Sequence, residues 1–396
     1  MGICGTAMGN IAVLMKRQGH EVVGSDSGIY PPMSDLLRDA GIELEEGFCP
    51  EKLEAAAPDL VVVGNAMSRG NAQVEWLLET RKFPFVALPE LISREILSKR
   101  KNIVVCGTHG KTTTTALTAW LLEQAGAKPG WMVGGVPRDL PSGAELGHDG
   151  GPFVIEGDEY DSAFFDKRSK FIHYQPRILV LNNLEFDHGD IFRDLEDILR
   201  SFRHVTRLVP RGGHILYNAD DENLGVLLPV EWTRCLSVGV GERADCRIVD
   251  FAENAEGSTF TLVWPDGVRT PICSALHGLY NARNAAMAAL AAGLSLDVEK
   301  PSAALDLSAL AVYNGVKRRQ DIRLKSDDLV VIEDFGHHPT AIKGTLESLR
   351  ARFPGWRLTA CFEPRSNTAC TNRFQREFTE ALAVADACYL APVHRG

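Results

Sequence analysis

The chain of 396 residues contains no long block of Lys or Arg, and its formal net charge is -10. A nucleic-acid partner needs a basic footprint, so that class is disfavoured at the outset. An anionic ligand must be held instead by glycine-bearing loops and isolated cations. No apolar run is long enough to cross a bilayer. The longest, Ala285 to Leu296, includes Gly293 and reads as a buried helix, so no membrane partner is expected. The opening MGICGTAMGN lacks the charged and apolar regions of a secretion signal. The nine Cys form no C-x-x-C and no Cys/His pairing at zinc spacing. Such a dispersed set suits reduced thiols and a cytoplasmic location. Internal repeats and low-complexity tracts are also missing.

What is present is ordinary globular material, 45% hydrophobic and 24% charged, enough for two or three domains. Residues 1–97 read as a small α/β unit: GICGTAMG opens it, EVVGSD is a strand, and PDLVVVGNA is a buried strand. The polar run Ser98–Asn102 is expected to link domains. A second unit, residues 98–308, carries strands NIVVCG, PFVIEGDE, RILVLNNLEFDH, HILYNADD, STFTLVW and VRTPICS, then an Ala-rich helix over Asn281–Leu294. A third α/β unit, residues 309–396, has strands at LVVIEDFG, RLTACFE and DACYLAP. Two features at the ends set expectations. The glycine motif starts at Met1, so the first strand of the first unit is expected to be missing, and the third unit is expected to be incomplete.

The strongest chemical signal is Gly107-Thr108-His109-Gly110-Lys111-Thr112-Thr113 between a buried strand and a helix. Such a turn aims backbone N–H groups and a helix N-terminus at phosphate. Lys111 is placed for the β- and γ-phosphates of ATP and Thr112 for Mg²⁺. Val105 stands where the long form of this motif has Gly, so this is a short G-x-x-G-K-T variant. Two further apolar strands end in polar groups: Glu156, Asp158, Glu159 and Asp161 after one, His188 after the other. In a parallel sheet those ends gather at the ligand-binding edge. A nucleotide with a transferring phosphoryl group needs a divalent cation there, and Mg²⁺ takes few protein ligands. Taken singly, these acids are solvated loop caps as readily as ligands. Asn281 and Asn284, after His277, can donate and accept as an adenine edge requires, but alone they equally suit helix capping.

Together G-T-H-G-K-T-T-T, E-x-D-E, L-N-N-L-E-x-D-H, H-x-x-x-N-x-x-N-A and E-D-F-G-H-H-P-T resemble the Mur ligase family, in that family's order and over almost the whole chain. The resemblance implies a three-domain α/β architecture: a Rossmann-like UDP-sugar domain, a central P-loop ATPase domain and a Rossmann-like domain that closes over the amine substrate. It places Gly2, Gly5 and Gly9 by the UDP diphosphate, and Asp26, Asn65 and Ser68 near the nucleotide-sugar. It gives Lys111 to the ATP phosphates, Thr112 and Glu156 to one Mg²⁺, and His188 to a second. His277, Asn281 and Asn284 line the adenine side. Arg319 and Asp334 reach ATP from the third domain, and His337, His338, Arg365, Ser366 and Asn367 belong to the substrate side. Some family members carry a carbamylated Lys after the His motif; no Lys lies between Asn182 and Arg211, so none is expected.

Within the family, Y-P-P-M-S, G-N-A-M-S-R-G-N, D-E-Y-D-x-A-F-F-D-K-R-S-K-F and E-P-R-S-N-T resemble members that join UDP-N-acetylmuramate to the murein tripeptide L-Ala-γ-D-Glu-meso-diaminopimelate in peptidoglycan recycling. The alternative is a member that adds L-alanine to the same nucleotide-sugar. Of other classes, a P-loop ATPase driving partner binding leaves the H-H-P motif unexplained, and the N-terminal glycines miss the strict dinucleotide fingerprint.

Overall fold

A computed structural model describes residues 1–393. Its centre is a ten-stranded mixed sheet. Across the sheet run Arg269–Ser274, Ser258–Val263, Cys246–Glu253, Arg234–Gly239, His214–Asn218, Ile178–Leu181, Lys101–Cys106, Pro152–Gly157, Gly130–Met132 and Ala144–Glu145. The block from Cys246–Glu253 to Gly130–Met132 is parallel, and the outer strands are antiparallel. Ile103, Val104, Val105 and Cys106 are buried on both faces, which is why that strand reads as an unbroken apolar run.

Two helices lie together on one face: Lys111–Gln124, which follows the phosphate loop, and the Ala-rich Leu279–Leu296. Both are buried nearly all round. Ala285, Ala286, Ala288, Ala289, Ala291 and Ala292 keep the second helix slim enough to pack closely on its neighbour. The expected linker Ser98–Asn102 is shorter than its composition suggested. A strand already begins at Lys101, and Asn102 is buried, its Nδ2 donating to the carbonyls of Leu97, Tyr174 and Gln175. Polarity at Asn102 serves these buried backbone acceptors rather than solvent.

The N-terminal part holds two parallel strand pairs, Val23–Asp26 with Glu43–Glu46 and Val61–Val63 with Phe85–Ala87. Met1 to Ile3 run between the pairs: the Gly2 N–H donates to Ser25 O at 2.8 Å and the Gly64 N–H to Met1 O at 3.0 Å. The C-terminal part contains an antiparallel pair, Asp321–Lys325 with Val330–Glu333, and a parallel pair, Thr359–Phe362 with Ala387–Leu390. Helices Pro339–Arg352 and Gln375–Leu382 close a small core around Ile342, Leu346, Phe378 and Leu382. Among the described residues no helix is long and apolar enough to cross a membrane.

Candidate active site

Chain order in the central sheet places a topological switch beside Lys101–Cys106. The chain leaves that strand for Gly130–Met132 and Pro152–Gly157 on one side, then crosses to Ile178–Leu181 on the other. Ligands bind outside the carboxyl ends of strands at such a point. Three polar segments meet there: the phosphate loop 107–112, the acids 156–159 and the turn 182–188. Thr108 to Thr112, Glu156, Asp158, Asn182, Asn183, Glu185 and His188 from these segments line one cavity of about 1630 Å³.

The loop is strapped to the 182–188 turn. The His109 N–H donates to Asn183 Oδ1 at 2.7 Å, and the Glu185 N–H donates to Thr108 Oγ1 at 2.8 Å. Gly110, with φ of +77°, caps the helix that begins at Lys111. A Cβ there would lie 2.6 Å from Asn284 Oδ1 and 3.0 Å from Asn182 Nδ2, so only glycine fits. Lys111 is deep in the site. Its Nζ donates to Gly107 O at 2.6 Å and to Glu159 Oε2 at 3.1 Å. Burial opposes its charge, yet Glu159 and Asp158 outweigh burial and push its pKa up. Lys111 is therefore a cation held in place, with nearby oxygens that an incoming phosphate can replace.

Glu156 receives Thr112 Oγ1–H at 3.1 Å and the Gly134 N–H. Burial, reinforced by the neighbouring Asp158 charge, raises its pKa to about 7. A carboxylate so crowded by negative charge is stabilised by a cation, so the donor set Thr112 and Glu156 fits Mg²⁺. Asp158 is held low: burial would raise it, but Lys170 and Lys111 overrule that. His188 has a left-handed backbone, φ +55°, and is buried against the Tyr160 ring, with centroids 4.2 Å apart. Its Nε2 is 3.3 Å from Glu159 Oε1. Burial disfavours the imidazolium, but the Glu159 contact and charge win and raise the His188 pKa. Glu159 thus ties the P-loop lysine to the histidine strand end.

On the far wall, His277, Asn281 and Asn284 form a relay into the loop. Asn281 Nδ2 donates to His277 O at 2.7 Å, Asn284 Nδ2 to Asn281 Oδ1 at 3.1 Å, and Thr114 Oγ1 to Asn284 Oδ1 at 3.2 Å. All three line the cavity, and Asn284 backs the phosphate loop itself. From the C-terminal part, Arg319 Nη2 donates to Thr112 Oγ1 at 3.3 Å, and its guanidinium lies 5.0 Å from the Phe335 ring centre. Asp334 accepts from the Gln320 and Gly336 N–H groups, which fixes the turn leading to His337. Arg365 and Ser366 line the same cavity, and Asn367 donates to Asp190 at 2.6 Å. His337 is 3.6 Å from Asp187, and His338 is buried, its Nε2 3.2 Å from Phe186 O. Burial, with His109 adding to it, lowers the His338 pKa to about 4.

The model of the Mur ligase middle domain matches residues 105–292, and that of the Mur ligase family, catalytic domain, matches residues 1–99. The chain is 43% identical to the UDP-N-acetylmuramate–L-alanyl-γ-D-glutamyl-meso-2,6-diaminoheptandioate ligase of Escherichia coli, over all of this chain and 84% of that one. It belongs to the Mur ligase family. The ligase of the same name from Haemophilus influenzae is 39% identical over 98% of this chain and 84% of its own length. The solved murein peptide ligase of Psychrobacter arcticus superposes with a TM-score of 0.78 at 38% identity, covering 98% of this chain and 83% of that one. The solved UDP-N-acetylmuramate–alanine ligase of Thermotoga maritima shares the fold, with a TM-score of 0.77 at 23% identity. Mur ligases are ATP-dependent and form amide bonds, and this Mur ligase is an enzyme of that kind.

The remaining expected residues of this Mur ligase lie outside the central cavity. Asp26 accepts from the Cys4 N–H at 2.8 Å and the Gly28 N–H at 3.0 Å, tying the glycine turn to the next strand end. Gly9 is buried, and a Cβ on it would strike Met33 Sδ at 2.2 Å, so this glycine serves helix packing in the structure. Gly2 has φ of +76°; Gly5 is exposed on the same turn, and Asn65 and Ser68 are exposed on the turn after Val61–Val63. Sequence reasoning named Glu159 only among the acids at a strand end, and gave no role to Asn182, Asn183, Glu185, Tyr280 or Gln320. All but Glu159 line the cavity, and Gln320 donates to the Tyr280 hydroxyl. Position at a strand's carboxyl end was the available signal for Asn182, Asn183 and Glu185.

Proposed function

We infer that this Mur ligase joins the lactyl carboxylate of UDP-N-acetylmuramate to the free amine of L-Ala-γ-D-Glu-meso-diaminopimelate, in the cytoplasm, for peptidoglycan recycling. The reading rests on one observation: Lys111, Glu156, His188 and Arg319 converge on one cavity walled by both the central and C-terminal parts. The relatives' names supply the substrate class.

A carboxylate is a poor electrophile because oxide is a poor leaving group. The carboxylate oxygen attacks the γ-phosphorus of ATP, and the bond from that phosphorus to the bridging oxygen breaks, releasing ADP. The amine nitrogen then attacks the acyl phosphate carbon; the C–O bond to phosphate breaks, and the nitrogen loses a proton. The protein's task is placement and charge neutralisation. Lys111 and Arg319 bear the phosphoryl charge, and the phosphate-loop N–H groups cradle it. Thr112 with Glu156, and His188, would hold Mg²⁺, which supplies further charge neutralisation when bound. The C-terminal part supplies one wall of the cavity, and its closing over the site would exclude water and protect the acyl phosphate.

The test is a mass-spectrometric assay with ATP, Mg²⁺, UDP-N-acetylmuramate and either L-alanine or the tripeptide. The tripeptide adduct is expected. An L-alanine adduct alone would reassign the enzyme to the alanine-adding branch. Phosphate release indifferent to the nucleotide-sugar would remove the ligase assignment.

A further inference from the structure

Beside the phosphate loop, two imidazoles and a carboxylate from three distant segments converge. His109 comes from the loop, Glu185 from the turn after Ile178–Leu181, and His338 from the cap of helix Pro339–Arg352. One ligand atom from each lies within 4.8 Å of the others. His109 Nε2 is 2.6 Å and His338 Nδ1 is 3.1 Å from the same oxygen, Glu185 Oε2.

Two neighbours orient these groups. His338 Nε2 faces Phe186 O at 3.2 Å, and a carbonyl can only accept, so the ring proton sits on Nε2. The Thr340 N–H approaches Nδ1 at a long 3.4 Å, which agrees with a lone pair there. Nδ1 therefore presents a lone pair to a carboxylate oxygen, two acceptors facing each other. The other carboxylate oxygen, Oε1, is held by Thr340 Oγ1–H at 2.9 Å. A histidine whose far nitrogen donates to a carbonyl, next to a carboxylate fixed by a hydroxyl, is the supporting arrangement that metal-ligating side chains show.

We propose that His109, Glu185 and His338 form a binding site for a zinc-type divalent cation, separate from the Mg²⁺ of the nucleotide, which bridges the phosphate loop to the C-terminal part. Two imidazole nitrogens and one carboxylate oxygen suit Zn²⁺ far better than Mg²⁺, which prefers oxygen. A tetrahedral zinc with bonds of about 2.0–2.2 Å sets its ligand atoms roughly 3.4 Å apart. The Glu185–His338 pair is already close to that spacing, and the shorter Glu185–His109 pair has to open by less than about 1 Å. His109 and Glu185 border the cavity, which leaves a fourth position for water or a substrate carboxylate. Because His338 is 153 residues from Glu185 along the chain and lies on a separate element, the ion would act as a clasp between the two parts.

The whole chain, stripped with a chelator and free of nucleotide, is titrated with Zn²⁺ alone by calorimetry, with Co²⁺ absorption as a second readout. One equivalent of Zn²⁺ is expected, with an upward shift of the unfolding midpoint and cobalt bands of tetrahedral type. Affinity is expected to fall at least tenfold in His338→Asn and in Glu185→Gln, with the cobalt bands lost, but to stay within twofold in His188→Ala. The near-isosteric Asn and Gln variants guard against misfolding, which their zinc-free unfolding midpoints report. No stoichiometric binding, or binding lost in His188→Ala and kept in His338→Asn, overturns the proposal.

Discussion

Lys111 is surrounded by oxygens before any nucleotide arrives. Gly107 O and the Glu159 carboxylate hold its ammonium where the β- and γ-phosphates would sit. Because Glu159 and Asp158 keep it charged, substitution removes a fixed cation from a buried site. Lys111→Ala is expected to reduce ATP-dependent amide formation by about 10³-fold. Near-normal turnover would deny Lys111 its phosphate role. The variant also leaves Glu159 without its partner, so a loss of about 3 kcal/mol in denaturant unfolding should accompany the loss of rate. His277 carries a different prediction. It is buried, and its pKa is lowered to about 4 by burial, with Arg352 adding to the effect. The unfolded chain keeps a histidine near 6.5, so between about 6.5 and 4 the unfolded state binds the extra proton. Stability present above pH 6.5 is lost as pH falls through that window, by about 1–2 kcal/mol after allowing for solvent screening. His277→Gln should flatten that part of the unfolding-versus-pH curve, and an unchanged slope would exclude His277 as its source.

At the level of elements, the unit that matters is strand, glycine turn and helix from Lys101 to Gln124. The left-handed Gly110 lets the first helical N–H groups face the cavity while Asn284 supports the turn from behind. Gly110→Ala adds a strained φ and a clash with Asn284 and Asn182. ATP affinity, read by calorimetry, is expected to drop at least about tenfold, roughly 1.4 kcal/mol, with little change in overall fold. Unchanged affinity would show that the loop adapts. This unit was legible in the sequence because an unbroken apolar run, a glycine pair and a helix start are all local signals. The same holds for the Ala-rich helix and for the strand ends at Glu156 and His188. The strands Arg234–Gly239 and Cys246–Glu253 were not legible. Arg, Ser, Asp and Glu interrupt them, and their pairing comes from neighbours in the sheet rather than from their own pattern. Nor could composition separate Glu156 from Glu159. Glu156 sits at the end of strand Pro152–Gly157 and Glu159 just beyond it, and only the fold shows that the first faces Thr112 while the second holds Lys111 and His188.

For the whole molecule, the decisive contacts join residues more than 150 positions apart, which no local pattern encodes. Arg319 reaches Thr112, Thr340 reaches Glu185, and Thr368 Oγ1 donates to buried Asp187 Oδ1 at 2.6 Å. Arg373 lies over the Phe186 ring, 3.5 Å from its centre, and donates to Arg193 O. Together they hold the C-terminal part against the site from two sides. An acyl phosphate survives only if the amine reaches it before water does, so closure governs how tightly ATP use is coupled to amide formation. Thr368→Val removes the bond to Asp187 and leaves that carboxylate short of a donor. Arg373→Ala removes the cation–π contact, a contribution of about 1 kcal/mol. Neither residue lines the cavity, so both changes act on closure rather than on the phosphate loop. Combined, they are expected to lower the amount of amide formed per phosphate released to roughly half or less, with ATP affinity little altered, since about 1–2 kcal/mol of lost closure shifts an open–closed balance several-fold. The measurement is the ratio of peptide adduct to phosphate under single-turnover conditions. A ratio that stays at one in the double variant would show that these contacts do not keep water from the intermediate.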